Sequence, residues 1–277
     1  MKILSTAALL GLGAIGFGGW YKFNSLKPKT LREYLEWQGL KVDIEEDNTW
    51  TAILEENKGI ANRAINKESL DISDVKKWCS EQLVKEDYGS VKEYASVLCV
   101  DNLKKVRSKI IQKYGKDRID KLLKQDEDYK VAYVFRKHIV GFLSLIGHQP
   151  PTTSEDGEDN DNLEDAKIKF KEWCEGSLEK EVDESLVSNV LSLCTPKKFK
   201  TIKELVSQNG EELLTDPQYS SELNAKYEAI KNYDSWKAEK KGTLEEWCKE
   251  YEAQPFSDKD VFTKIYPKFR FRCVKTK

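Results

Sequence analysis

The stretch WCEGSLEKEVDESLVSNVLSLC, residues 173–194, decides the fold. It opens on Trp173-Cys174 and closes on Cys194. Around it the apolar residues fall at steps of three or four: Ala166, Phe170, Trp173, Cys174 and Leu178, then Val187, Val190, Leu191 and Cys194. That spacing predicts two amphipathic helices, each carrying its cysteine on the apolar face, so that folding brings the two sulfurs toward each other. The pattern occurs twice more. Trp78-Cys79 leads to Cys99, and Trp247-Cys248 leads to Cys273. In the first copy Ile72, Val75 and Cys79, then Val91, Tyr94 and Leu98, keep the same helical step. The three copies use all six cysteines of the chain.

Helix-start signals repeat along with the cysteines. Thr30-Leu31-Arg32-Glu33 and Thr201-Ile202-Lys203-Glu204 each offer a threonine hydroxyl for free amide N–H groups and a glutamate three residues on, which is a capping box. Thr243 and Glu246 offer another just before Trp247-Cys248. The runs after Thr30 and Thr201 stop at Gly39 and Gly210, and glycine supplies the left-handed backbone that closes a helix. The middle copy, Lys105 to Gly115, has lost the threonine but kept the spacing. Each unit therefore reads as a capped first helix, a segment with an aromatic anchor such as Trp50 or Trp236, a helix with the Trp-Cys pair, and a last helix with the second cysteine.

The expected fold is all-α: an N-terminal transmembrane helix followed by tandem small helical modules. The expected divisions are an apolar anchor or signal segment at 1–26, module 1 at 27–100, module 2 at 101–195 and module 3 at 196–277. Strand signals are sparse, and only Phe269 to Val274 has a β-rich look. Thr152 to Asp165, after Pro150-Pro151, is acidic and rich in Gly and Asn, and reads as a solvated linker inserted into module 2. Asp156, Glu158 and Asn160 fall near calcium-loop spacing, but the turn glycine and the terminal glutamate are out of register. Val131 to Ile146 is apolar but broken by Arg136, Lys137 and His138, and reads as a buried core helix rather than a membrane span.

Residues 3–21 carry no charge, and as a helix at about 1.5 Å per residue they reach close to the ~30 Å hydrocarbon core. Trp20 and Tyr21 stand where an interfacial aromatic belt belongs. The segment lacks an A-x-A cleavage site and a lipobox cysteine, which favours an uncleaved signal anchor over a cleaved secretory signal. Only Lys2 precedes it, while Lys22, Lys27, Lys29 and Arg32 follow, and this asymmetry taken alone keeps the body inside. Six regularly spaced cysteines pull the other way, because disulfides persist mainly outside the reducing cytosol. Three uses of the cysteines compete: bridges within each module (Cys79 with Cys99, Cys174 with Cys194, Cys248 with Cys273), reduced cysteines packed as small apolar groups, and metal ligands. Within-module pairing is preferred because each module must hold itself together. Metal binding finds no C-x-x-C or H-x-x-x-H spacing. Trp78, Trp173 and Trp247 are expected as core anchors beside the cysteines, with an exposed aromatic ladder as the alternative.

With 46 basic and 48 acidic residues, the net charge of −2 argues against a broad nucleic-acid footprint. The local cluster Lys197, Lys198 and Lys200 reads as a solvated helix face. No G-x-S-x-G, H-E-x-x-H or phosphate-cradling loop is present, and His138 and His148 are the only imidazoles, so no catalytic, cofactor or metal residue is assigned.

With its apolar Gly/Ala-rich start, Thr-Leu-Arg-Glu-Tyr-Leu ending at Gly39, Trp50-Thr51-Ala52-Ile53-Leu54 and recurring Trp-Cys…Cys units, the chain resembles a large family of paralogous proteins of the haemotropic mycoplasmas, wall-less bacteria that live attached to red blood cells. The resemblance implies a membrane-anchored, surface-displayed protein serving antigenic variation or host-cell attachment, and supplies no catalytic residue. The expectation is a non-enzymatic single-pass protein with its body outside, using the membrane through residues 3–21 and a host cell or antibody as partners, with no nucleic acid, cofactor or small-molecule substrate. An intracellular membrane-tethered scaffold with reduced thiols is the alternative, and an anchored hydrolase the third reading.

Overall fold

Why the repeat folds as it does is clearest at the helix ends. In a computed structural model, residues 28–150, 161–239 and 242–275 are described, and they form fifteen α-helices with no β-strand among them. The apolar residues 3–21 lie outside this set. Among the described residues no helix is long and apolar enough to cross a membrane.

The first helix of each copy is α1 (Leu31–Trp37), α5 (Val106–Tyr114) and α11 (Ile202–Gln208). At α11 the capping box is complete: Glu204 N–H donates to Thr201 Oγ1 (3.3 Å) and Thr201 N–H to Glu204 Oε2 (3.2 Å). At α1 only the threonine half forms, and the Glu33 carboxylate accepts from the Lys29 amide. The α1 and α11 helices close on left-handed glycines, Gly39 and Gly210 (φ 78° and 64°). In each case the amide beyond the glycine reaches back five residues, Leu40 to Leu35 and Glu211 to Val206, as a Schellman closure requires. The uncapped α5 keeps a bond that the capped copies also make. Its first amide, Val106 N–H, donates to Lys180 O at 3.0 Å. The corresponding amides Leu31 and Ile202 donate to Lys85 O (2.9 Å) and Gln254 O (3.1 Å). All three carbonyls sit six positions beyond the first cysteine of their pair (79 to 85, 174 to 180, 248 to 254), so one backbone bond closes every copy at the same place.

The chain divides into two compact units, residues up to Leu103 and from Lys104 onward. In the first, α2 (Asp47–Ile65) packs against α3 (Ile72–Leu83) and α4 (Lys92–Leu98). It bends at Asn57, whose φ of −119° is non-helical and whose amide donates to Ile53 O, competing with the helix ladder. Asp71 and Asp74 form a capping box on α3. The core is closed within this unit: Leu31, Leu35, Trp50, Ile53, Val75, Cys79, Leu98 and Cys99 belong to one cluster.

The second unit holds α6 (Lys116–Asp120), α7 (Asp126–Val134), α8 (Phe142–Ile146), α9 (Leu163–Leu178), α10 (Glu184–Leu193), α12 (Ser220–Ile230), α13 (Asp234–Lys237), α14 (Leu244–Glu252) and α15 (Tyr266–Cys273), beside α5 and α11. The expected boundary at 195/196 does not separate two cores. One continuous cluster runs from Val106 to Val274. Phe135 joins the copies, with its ring 4.8 Å from Phe199, 4.9 Å from Phe256 and 4.6 Å from Phe262, all in edge-to-face contact. The second and third copies are separate as backbone closures and one body as a hydrophobic core.

Several local expectations are corrected. The apolar run Val131 to Ile146 is two short helices, α7 and α8, split by a turn through Gly141 (φ 81°) that leaves Val140 99% exposed. The acidic insertion 152–165 ends earlier than its composition implies. Asn162 caps α9, Leu163 to Asp165 are helical and Asp161 is buried, while 151–160, with the calcium-like spacing, lies outside the described residues. The β-rich Phe269–Val274 is helical to Cys273, with Val274 alone bridging to Leu213. Lys197, Lys198 and Lys200 lie in the connection between α10 and α11 rather than on a helix.

These cores imply a test by dissection. A fragment of residues 28–103 should give a cooperative thermal transition by circular dichroism. A fragment of residues 196–277 should not, because its apolar face is buried against residues 106–194. A cooperative 196–277 fragment would contradict the fused core.

Candidate functional site

The expected cysteine partners are joined in all three copies: Cys79–Cys99, Cys174–Cys194 and Cys248–Cys273, with Cα atoms 5.5, 5.9 and 5.8 Å apart. The first cysteine of each pair stands with its tryptophan on α3, α9 or α14. The second ends its helix. Cys99 and Cys194 occupy the C-cap of α4 and α10, and Cys273 is the last residue of α15. Each cross-link thus fixes the middle of one helix to the end of the next. Closing a loop of this size removes unfolded-state entropy worth about 3 kcal/mol.

The tryptophans do not form an exposed ladder. Trp78 and Trp173 are half-buried against their cores, and Trp247 is 1% exposed. Adjacent residues on a helix point about 100° apart, so a Trp beside a core-facing Cys falls at the core margin unless another layer covers it. In the third copy such a layer exists. Arg272, 5% exposed, lies 4.8 Å from the Trp247 ring and 5.4 Å from the Trp236 ring. Its Nη1 donates to Glu239 Oε1 at 3.0 Å, and Trp247 Nε1 donates to the other oxygen of the same carboxylate at 3.2 Å. Lys268 adds a third bond at 3.0 Å. Burial works to raise the Glu239 carboxyl, but the bonds from Lys268, Arg272 and Trp247 outweigh it and hold the group below its ordinary value. Trp50 and Trp236 are also buried. Trp50 Nε1 donates to Ile44 O (3.2 Å), and Trp236 packs edge-on against Tyr227.

A second cluster was not legible in the sequence. His148, 3% exposed, follows α8 with Nε2 2.8 Å from Asp161 Oδ1 and Nδ1 3.0 Å from Asp165 Oδ2. The Tyr133 hydroxyl donates to Asp161 Oδ2 at 2.6 Å, and the Tyr133 ring meets the imidazole edge-on at 5.7 Å. Asp161 and Asp165 are four apart at the start of α9, which is the only hint the sequence holds. The cluster ties the entry of α9 to α7 and α8. Its Tyr133 and Asp161 also line a small cleft, open to solvent, that Asp258, Asp260 and Phe262 complete. Both ring nitrogens of His148 face carboxylates, so neither is turned outward as a free base. His138 is exposed beside Phe262.

Arg136 is buried in the turn after α7. Its Nη2 donates to Thr195 O (2.7 Å) and Ser192 O (3.3 Å), supplying donors to the carbonyl end of α10. Burial pushes its guanidinium down to about 10, still charged at neutral pH. Lys197, half-buried over the Phe135 ring, is lowered by burial and then by Arg136. It is not the solvated cation expected of it. Lys200 pairs with Asp128 at 2.8 Å.

Among the described residues no group of three His, Cys, Asp or Glu side chains is placed to hold a metal ion. No family model, no curated protein and no solved structure matches the chain.

Two outcomes follow from these networks. A carboxyl held below its ordinary value stabilises the fold above its unfolded pKa of about 4.3, and that contribution is lost as pH falls through the folded value. E239Q should therefore be less stable than wild type at neutral pH, with the gap in urea midpoint closing as the solution is acidified below about pH 4. An equal gap at all pH values would count against the Glu239 network. H148A leaves Asp161 buried without one partner and should cost on the order of 1–3 kcal/mol in urea denaturation.

Proposed function

We propose that this is a non-enzymatic, membrane-anchored surface protein whose helical body is displayed outside the cell for contact with host components, with antibodies as the other partner. The observation that carries this reading is that all six cysteines are joined in pairs, each within its own repeat. Such bonds persist in oxidising surroundings and are rare where thiols are kept reduced. The uncharged residues 3–21 support an anchor, and the resemblance to haemotropic mycoplasma surface proteins supports a role at the red-cell interface. The networks around Glu239 and His148 support a rigid display scaffold rather than a catalyst, since their polar atoms are committed to one another.

One observation favours a second reading, an intracellular scaffold on the same anchor: a single lysine precedes the apolar segment, while Lys22, Lys27, Lys29 and Arg32 follow it. Non-reducing peptide mapping of protein taken from its native membrane, with protease treatment of intact cells, separates the two. Display outside predicts three cross-linked peptides and a body removed by the protease. Free thiols and a protected body would transfer the protein to the scaffold reading. The purified body should also bind red cells at micromolar concentration, and its failure to do so, with no antibodies in infected hosts, would remove the host-contact role.

A further inference from the structure

Apolar exposure in the first unit is concentrated where the chain arrives from the N-terminal segment. Among its described residues the large hydrophobic side chains standing exposed are Trp37 and Val84, each 71% exposed. Both are tied to the entry point. The Trp37 ring lies 6.5 Å from Tyr34, and Tyr34 lies 5.3 Å from Tyr88. The Tyr88 hydroxyl donates to Pro28 O at 3.0 Å, at the first described residue. Val84 precedes Lys85, whose carbonyl accepts from Leu31 N–H at 2.9 Å. The loop 84–88 thus wraps the incoming chain and carries one exposed apolar residue, while its Tyr88 ring meets Tyr34 and Tyr34 meets Trp37, each pair tilted.

We infer that this patch, Trp37 with Tyr34, Tyr88 and Val84, rests in the headgroup layer of the lipid bilayer that holds residues 3–21. The inference rests on the anchor reading proposed above and adds a lipid-contact surface to it. The length of the intervening chain carries the argument. Pro28 lies seven chain steps beyond Tyr21, which is at most about 25 Å fully extended, so the entry point cannot stand far from the end of the apolar segment. Tryptophan and tyrosine have the chemistry of that layer, an apolar ring with a polar N–H or O–H, and they concentrate at membrane–water interfaces. The connection also carries Lys22 and Lys27, the charge that lipid phosphates attract. A patch facing bulk water would instead leave a 71% exposed Trp with nothing to do in a unit that otherwise buries its large apolar groups.

The test uses the full chain and its W37F variant, both reconstituted into phosphatidylcholine vesicles. Emission of wild type minus variant isolates Trp37 and cancels Trp20. An alkaline carbonate wash and flotation come first. Vesicles then carry a spin label on the headgroup or at mid-chain of the lipid. The expected result is protein that floats, with Trp37 losing most of its emission to the headgroup label and little to the mid-chain label. Protein that floats while Trp37 ignores the headgroup label and stays open to aqueous iodide would overturn the patch and leave the anchor standing. Trp37 shielded from both label and iodide means that protein covers it, and stronger quenching at mid-chain means that it is buried in hydrocarbon; either overturns the headgroup placement. Protein stripped from the vesicles by the wash removes the anchor, and the patch with it.

Discussion

The constraint on which the rest depends is the double closure of each repeat. A disulfide joins the middle of the Trp-Cys helix to the end of the helix that follows, and six residues past its first sulfur a carbonyl accepts the leading amide of the repeat's first helix. The first bond limits the unfolded chain and the second satisfies an amide that no intrahelical partner can reach. Together they draw the start and end of a copy to one Trp-Cys helix. The middle copy keeps both closures although it lacks the cap threonine. The Val106 amide is paired with Lys180 O, as Leu31 is with Lys85 O and Ile202 with Gln254 O.

Local closure leaves the hydrophobic surface to be shared, and the two units do this differently. The first copy covers its own apolar residues within residues 31–103. The second and third merge theirs through Phe135, Phe199, Phe256 and Phe262. Small modules bury a modest fraction of their surface, so fusing two of them raises the fraction buried without altering either closure. The second and third copies each carry a polar set of their own: the imidazole held between Asp161 and Asp165 in the second, and the Arg272–Glu239–Trp247 stack in the third. Each is a buried polar set whose members satisfy one another, which fixes a unique packing at the cost of desolvating charge.

What could be read from the sequence were features whose cause lies within a few residues. Thr201 and Glu204 announce the start of α11, Gly39 and Gly210 the stops, and the three-to-four-residue step around Cys174 the helix itself. The pairing of the cysteines followed from repetition, since three equal copies favour the arrangement that each copy can make alone. Other features were misread because composition hides a tertiary partner. Asp161 looks like part of a solvated acidic tether, yet Tyr133, Lys137 and His148 hold it buried. Lys197 looks like a surface cation, yet it lies half-buried over an aromatic ring.

The sequence by itself determined the all-helical class and the repeat, and favoured the partner of every cysteine, because helical period, capping chemistry and tandem copying are local or self-referential properties. Only the tertiary structure decided that two repeats share one core, that Trp247 is covered while Trp78 and Trp173 sit at the margin, and that His148 faces two carboxylates. Those outcomes depend on which apolar faces and buried charges meet across separations from 13 positions, as between His148 and Asp161, to 127, as between Phe135 and Phe262. At such separations the energy of a contact is set by the desolvation and packing of both partners together, and neither partner's neighbours in sequence record it.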